Sequence, residues 1–186
     1  MKKINKHVII AGIPRSGKTT VSLELAKYGF THYKMDTIKR SMCEIFNLDG
    51  HDWDKISPIM GKMINTIIKE SKTDIIAGRE YYVIDTPHLL PKDLKLITEE
   101  VLIIYVGFAD ISLKEKMKEM QKYDNDNYWT KDVRESDLRR MMQANIDFSK
   151  IIKNECKKYG IKFFDTIYNR DIVIKEIIKY ILDNCC

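Results

Sequence analysis

The residues from Gly12 to Thr19 have the types and the spacing of a loop that binds phosphate groups. Their sequence is Gly-Ile-Pro-Arg-Ser-Gly-Lys-Thr, a complete Gly-x-x-x-x-Gly-Lys-Ser/Thr motif. Its glycines let successive backbone N–H groups turn toward phosphate oxygens, and the amino end of the following helix adds partial positive charge. Lys18 is expected to reach the β- and γ-phosphates of a nucleotide, and the Thr19 hydroxyl to bind Mg²⁺. The predicted nucleotide-binding residues are Gly12, Ile13, Pro14, Arg15, Ser16, Gly17, Lys18, Thr19 and Thr20.

Two acidic residues follow apolar stretches and are candidates for the same site. Tyr82-Val83-Ile84 leads into Asp85, a pattern in which the carboxylate orients Mg²⁺. Asp36 follows an earlier apolar stretch, where it could accept a proton from a hydroxyl group or help to place the metal. The alternatives are structural, because Asp85 could cap a turn at Pro87 and Asp36 could cap a helix that starts at Thr37. We favour the functional interpretation, since α/β proteins bind ligands at the carboxyl edge of the sheet.

The elements that must position these residues alternate between strands and helices. Apolar stretches typical of buried strands lie at 7–11, 31–35, 81–85, 101–106 and 161–164. Connections of the intervening lengths require parallel pairing, with helices on both faces of the sheet. The sequence therefore predicts an α/β fold, a three-layer α/β/α sandwich with a parallel sheet of about five strands.

Helical periodicity is clearest in the second half of the chain. Ile174, Ile177, Ile178 and Ile181 form the apolar stripe of a last helix. A longer helix is predicted from a stripe at Leu138, Met141, Asn145, Phe148, Ile152 and Tyr159. Residues 37–80 form a helical insertion, whose second helix is expected to open at Pro58.

Length and charge limit the class of protein. The 186 residues fit a single domain over 1–186. The net charge of +5 comes from 32 basic and 27 acidic residues spread along the chain, which argues against a dedicated nucleic-acid binder. No apolar stretch approaches the roughly 20 residues that cross a bilayer, and the four cysteines form neither a zinc motif nor a disulfide framework. We expect a cytoplasmic protein without membrane partners, and leave its oligomeric state open.

The order of these motifs resembles the P-loop kinases related to adenylate kinase, shikimate kinase and gluconate kinase, within the nucleoside monophosphate kinase-like superfamily of P-loop NTPases. The resemblance spans nearly the whole chain, from the loop at 12–20 through Asp36 and the insertion to Asp85 and the late arginines. It implies transfer of the γ-phosphoryl group of ATP, with Mg²⁺, to a small-molecule acceptor. Asp36, Arg40 and His88 are then the acceptor-binding candidates.

Two positions differ from the relatives that the resemblance names. His88 stands where adenylate kinases carry the arginine of an apolar-Asp-Gly-Phe-Pro-Arg motif. The Asp-x-Asp of shikimate kinases corresponds to Lys34-Met35-Asp36 in this chain. The identity of the acceptor therefore stays open.

The resemblance also implies a lid that closes over the phosphates and supplies arginines. The matching segment covers about 123–140, where Arg134, Arg139 and Arg140 lie within seven residues. The geometry of a guanidinium group suits phosphate oxygens, and we predict catalytic roles for Arg134 and Arg140 because Arg139 can pair with Glu135. The alternative is a solvated helix face. The loop after the last strand would contact adenine, through Thr166.

Two other classes of protein share a phosphate-binding loop of this kind with the kinases. A switch GTPase requires Asp-x-x-Gly after the third strand, whereas this chain has Asp85-Thr86-Pro87-His88. It also requires Asn/Thr-Lys-x-Asp for guanine, whereas Thr130-Lys131-Asp132 brings the acid one residue early. We therefore reject the GTPase. A noncatalytic nucleotide-binding or RNA-associated module remains the alternative, with mild support from the positive charge.

Overall fold

Five parallel strands form one sheet in which the first strand is central. The computed structural model describes residues 4–71, 80–123, 132–167 and 169–186. The strand order is β2-β3-β1-β4-β5. The sequence predicted parallel pairing, and all neighbouring strands do pair in parallel. The strands are β1 His7–Gly12, β2 Thr31–Lys34, β3 Tyr82–Thr86, β4 Val101–Gly107 and β5 Lys162–Asp165.

Six α-helices in the described residues cover both faces of the sheet, which confirms the α/β sandwich. They are α1 Lys18–Ala26, α2 Met35–Ile45, α3 Trp53–Glu70, α4 Leu113–Tyr123, α5 Glu135–Tyr159 and α6 Arg170–Cys185. A short 3₁₀ helix, Pro91–Leu96, follows β3. All four cysteines are free thiols. In the described part of the chain, no helix is long and apolar enough to cross a membrane.

Alternation along β1 divides the core into two layers. Val8 and Ile10 pack with α1 and α6, whereas Ile9 and Ala11 pack with α2, α3 and α5. Both sets are fully buried, because a strand covered by helices on both faces has no solvent-facing side. The central strand is therefore fixed from both sides, and its carboxyl end is a rigid support for the loop that follows.

Two details of the helices differ from the sequence prediction. The buried stripe of α5 is Met142, Ile146, Ser149, Ile152 and Cys156. It lies about one residue from the predicted one, so Met141 and Tyr159 are exposed. The prediction missed it because a serine and a cysteine occupy core positions. Pro58 lies inside α3 rather than at its start, and the helix begins at Trp53, where the Asp52 side chain accepts a hydrogen bond from the Lys55 N–H.

Candidate active site

The loop between β1 and α1 is shaped by two glycines with positive φ. Gly12 has φ of 121°, and a Cβ atom there would lie 2.1 Å from the Val106 carbonyl oxygen. Gly17 has φ of 97° and directly precedes the first residue of α1. The Ile13 N–H donates to the Val106 oxygen at 3.0 Å, so β4 anchors the start of the loop. These contacts require glycine at position 12.

Two donors of the loop converge on one oxygen atom. The Lys18 ammonium group donates to the Ile13 carbonyl oxygen at 2.7 Å, and the Ser16 N–H donates to the same oxygen at 3.3 Å. Burial lowers the pKa of Lys18, while the negative charges of Asp85 and Asp36 act against that shift. A charged donor and a backbone N–H therefore converge in the loop, a pair of donors that a phosphate oxygen could accept from.

The Thr19 hydroxyl and the Asp85 carboxylate form the second part of the site. The hydroxyl donates to Asp85 Oδ2 at 2.5 Å, and Asp85 is almost fully buried at the end of β3. The His32 Nε2 atom lies 3.9 Å from the same oxygen, but burial lowers the pKa of His32, so this contact is not an ion pair at neutral pH. Two adjacent hard oxygen ligands fit Mg²⁺, which takes few protein ligands and completes its shell with phosphate oxygens and water.

Asp36 and His88 lie next to each other in the lining of the same cavity. Asp36 is the second residue of α2, and the residue before the helix is Lys34, so Asp36 does not cap the helix as the structural alternative held. Burial raises the pKa of Asp36, and the Lys18 charge opposes this shift. The Asp36 Oδ1 atom lies 3.6 Å from His88 Nδ1, which is too long for a hydrogen bond.

His88 is a neutral, buried group at this edge of the sheet. Its ring is 9% exposed and stacks on Trp53 at 4.8 Å between centroids. Burial lowers the pKa of His88 to about 3, and the nearby charges of Lys39 and Lys18 act in the same direction. Among the described residues, its Nδ1 atom has no hydrogen-bond partner. The imidazole therefore has an unsatisfied hydrogen-bonding atom beside Asp36.

A single cavity of about 570 Å³ collects most of the predicted site residues. The site residues predicted from the sequence that line this cavity are Pro14, Arg15, Gly17, Lys18, Thr19, Thr20, Asp36, Asp85 and His88. Arg40 is exposed on α2 and is not among the described residues that line the cavity. Its role in acceptor binding stays a prediction.

The predicted lid arginines lie on the exposed first turns of α5. Arg134 and Arg140 both pair with Asp137, at 2.9 and 3.1 Å, and each side chain is more than four-fifths exposed. Arg139 pairs with Glu135 at 2.8 Å, the partner expected from the sequence. None of the three is among the described residues that line the cavity. Residues 124–131 of the predicted lid at about 123–140 lie outside the described residues, and phosphate contact by these arginines stays a prediction.

Thr166 lines a second cavity of about 580 Å³ that adjoins the first. Its hydroxyl donates to the Gly107 carbonyl oxygen at 3.0 Å, which ties the loop after β5 to the end of β4. The two cavities share Glu119, Tyr123 and Arg170. The predicted role of Thr166 in nucleotide binding is compatible with this position and stays a prediction.

Arg170 and Tyr123 are lining residues that the sequence did not reveal. The Arg170 guanidinium lies 4.4 Å from the centre of the Tyr123 ring, and its Nη2 atom lies 3.5 Å from the Thr20 hydroxyl. Arg170 is the first residue of α6 and is 150 residues from Thr20 in sequence. The sequence signal that could have indicated Arg170 is the scarcity of arginine in this lysine-rich chain.

Comparison with known proteins identifies a kinase as a relative of this chain. No protein family model matches the chain. A shikimate kinase from Clostridium botulinum (strain Loch Maree / Type A3) is 31% identical over 127 residues, which cover 65% of this chain and 68% of that protein.

Solved structures share the fold at low sequence identity. A shikimate kinase from Acinetobacter baumannii in complex with shikimate matches with a TM-score of 0.55 at 17% identity, over 97% of this chain and 94% of that one. A gluconokinase from Sinorhizobium meliloti 1021 matches with a TM-score of 0.56 at 12% identity, over 99% and 95% of the two chains.

The glycine loop, the strand-end acids and the central position of β1 define a P-loop kinase that acts on a small molecule. The kinase relatives support an ATP-dependent enzyme whose acceptor is not specified. The 31% identity extends over more than two thirds of the Clostridium enzyme, and the chain belongs to the shikimate kinase family.

Proposed function

We propose that the enzyme binds ATP with Mg²⁺ in the 570 Å³ cavity and transfers the γ-phosphoryl group to a hydroxyl group of a small acceptor. The observation that carries the proposal is the meeting of Lys18, Thr19, Asp85 and Asp36 in that one cavity. Lys18 and the loop N–H groups would bind the β- and γ-phosphates. Thr19 and Asp85 would hold Mg²⁺, which neutralises charge on the phosphate oxygens.

Asp36 is positioned to act on the acceptor. Its half-buried carboxylate lines the same cavity as the loop, where it can accept the proton of the attacking hydroxyl. The neutral His88 ring offers an N–H donor or a lone pair to the same hydroxyl group, depending on its tautomer. A hydroxyl can donate to Asp36 and accept from His88 at once, which supports an alcohol as the group that binds between them.

Closure of the segment around 123–140 would complete the site. Arg134 or Arg140 would then exchange Asp137 for the transferring phosphoryl group, whose developing charge a guanidinium stabilises. Closure would also exclude water, which would otherwise hydrolyse ATP. Exclusion of water is needed because the cavity is open to solvent at its rim, where Lys34 and Leu23 are exposed.

A kinase assay against a panel of metabolites and nucleosides tests the proposal. The panel includes shikimate and gluconate, because relatives carry those names. We expect ATP- and Mg²⁺-dependent phosphorylation of one hydroxylated acceptor, and no turnover by a folded Lys18→Ala variant. Undiminished transfer by Lys18→Ala would contradict the assignment. Salt-dependent retention of RNA without any product would favour a noncatalytic module instead.

A further inference from the structure

A buried lysine outside the cavity contacts the back of the phosphate-binding loop. Lys116 lies on α4, and its side chain is fully buried. Its ammonium group donates to the Arg15 carbonyl oxygen at 3.2 Å and to Glu119 Oε1 at 3.0 Å. The same ammonium group lies 3.8 Å from the centre of the Phe108 ring, just after β4. Glu119 offsets part of the cost of burying this charge, and the remaining contact of the ammonium group is with a backbone oxygen of the loop.

The contact with Arg15 fixes the direction of one peptide group. Because a trans peptide is planar, its C=O and N–H bonds point in opposite directions. Lys116 holds the Arg15 carbonyl outward, and the N–H on the other side of that peptide belongs to Ser16. This N–H points into the loop, where it donates to Ile13 at 3.3 Å beside the Lys18 ammonium group.

The conformation of Arg15 shows why such a contact is needed. Arg15 has φ of 66°, one of two positive values among the non-glycine residues that the structure describes. The left-handed region costs an ordinary residue roughly 1 kcal/mol or more. Such a conformation persists only where surrounding contacts hold it, and the Lys116 ammonium group contributes one of them through the Arg15 carbonyl oxygen.

We propose that Lys116 is a positioning residue for the phosphate-binding loop: it holds the Arg15 peptide so that the Ser16 N–H faces the phosphate groups of the nucleotide. The inference rests on the proposed binding of ATP by this loop. Lys116 is not among the described residues that line the cavity, so it acts through the loop. Burial lowers the pKa of Lys116 to about 8, with Glu119 on its own helix opposing the shift and Arg170 of α6 and Arg15 of the loop adding to it.

Binding of ATP and of adenosine to Lys116→Met separates this role from a purely structural one. Methionine keeps the length and apolar stem of lysine but cannot bind a carbonyl oxygen. We expect the dissociation constant for ATP, measured by calorimetry, to rise about tenfold or more, and that for adenosine to stay within twofold. Adenosine lacks the phosphates that the loop contacts. The melting temperature without nucleotide should fall, because Glu119 loses its partner, so binding is measured well below that temperature.

Lys114→Met is the matched control, since Lys114 is exposed on the same helix. It should bind ATP like the unchanged enzyme. A Lys116→Met protein that binds ATP normally, or that loses ATP and adenosine affinity equally, would overturn the proposal. Failure of the unchanged enzyme itself to bind ATP would instead reject the proposed function.

A measurement on the unchanged protein covers the case in which Lys116→Met does not fold. The ¹³C resonance of the Arg15 carbonyl should shift as pH rises through about 8, where Lys116 loses its proton. The Lys114→Met protein should show the same titration. A carbonyl resonance that stays constant while the ¹³Cε resonance of Lys116 titrates would show that Lys116 does not hold this peptide.

Discussion

The Thr19 hydroxyl donates a hydrogen bond to the Asp85 carboxylate at 2.5 Å and so joins the first turn of α1 to the end of β3. The two residues are 66 positions apart in sequence. Parallel pairing of β1 with β3 brings them together, since Ala11 is in register with Thr86. The proposed metal ligands therefore depend on the sheet register, and a shift of one residue would separate them.

Replacement of Asp85 by asparagine should weaken the binding of Mg²⁺ and leave the fold largely intact. The amide oxygen can still accept from Thr19, but the negative charge that attracts Mg²⁺ is lost. We expect the Mg²⁺ concentration for half-maximal activity to rise about tenfold or more, with a normal circular dichroism spectrum. Asp183→Asn, an exposed change, serves as control. An unchanged Mg²⁺ requirement would exclude Asp85 as a metal ligand.

The Asp36→Asn variant should lose at least about 100-fold in kcat, the usual contribution of a general base. Its ATP affinity and stability should change little, because Asp36 does not cap α2 in the described structure. Steady-state kinetics with the acceptor found in the panel provide the measurement. If kcat stays at the level of the unchanged enzyme, Asp36 takes no part in the transfer.

His88 should make the protein sensitive to acid. Its pKa is about 3 in the folded state and near 6.5 when unfolded, so the unfolded state takes up the proton first as pH falls. His88 therefore contributes stability that is complete above pH 6.5 and is lost as pH falls toward 3, up to about 4 kcal/mol. Urea unfolding measures the unfolding free energies of the unchanged protein and of His88→Phe. The value for the unchanged protein should fall relative to that of His88→Phe as pH falls from 6.5 toward 3. A difference independent of pH would mean that His88 titrates normally.

Single replacements of Arg134, Arg139 and Arg140 by lysine test the predicted lid. Lysine keeps the charge but loses the planar fork, so kcat should fall by about tenfold or more for the residue that reaches the phosphoryl group, while ATP affinity holds. We expect the effect at Arg134 or Arg140, and Arg139→Lys is the internal comparison. Normal turnover by all three variants would identify the cluster as a solvated helix face.

Gly12→Ala should prevent stable folding or destabilise the protein by more than about 3 kcal/mol. Its methyl group would lie 2.1 Å from a backbone oxygen of β4, and its φ of 121° is unfavourable for alanine. Gly160→Ala is the matched control, since Gly160 also has positive φ but its Cβ would meet no described atom within 4 Å. That change should cost roughly 1 kcal/mol in thermal or urea unfolding. Equal losses for both variants would show that backbone conformation alone matters.

Local patterns in the sequence were sufficient to predict the sheet and the residues at the centre of the site. The five strands, the glycine loop and Asp85 each depend on short-range signals, which are apolar stretches and fixed spacings. Arg170, Tyr123 and Lys116 were missed because their roles arise from contacts over long sequence separations, 101 residues for Lys116 and Arg15. The predicted stripe of α5 was displaced because Ser149 gives no hydrophobic signal. It is buried with its Oγ accepting a hydrogen bond from the Phe108 N–H.

The central place of β1 also governs the order in which the chain can fold during synthesis. β1 leaves the ribosome first, yet its partners β3 and β4 end only at Thr86 and Gly107. The Ile13 N–H finds its acceptor on Val106, so the glycine loop cannot close until more than half of the chain has been translated. Until then the strand His7–Gly12, which is buried throughout in the finished protein, is an exposed apolar segment that chaperones can bind.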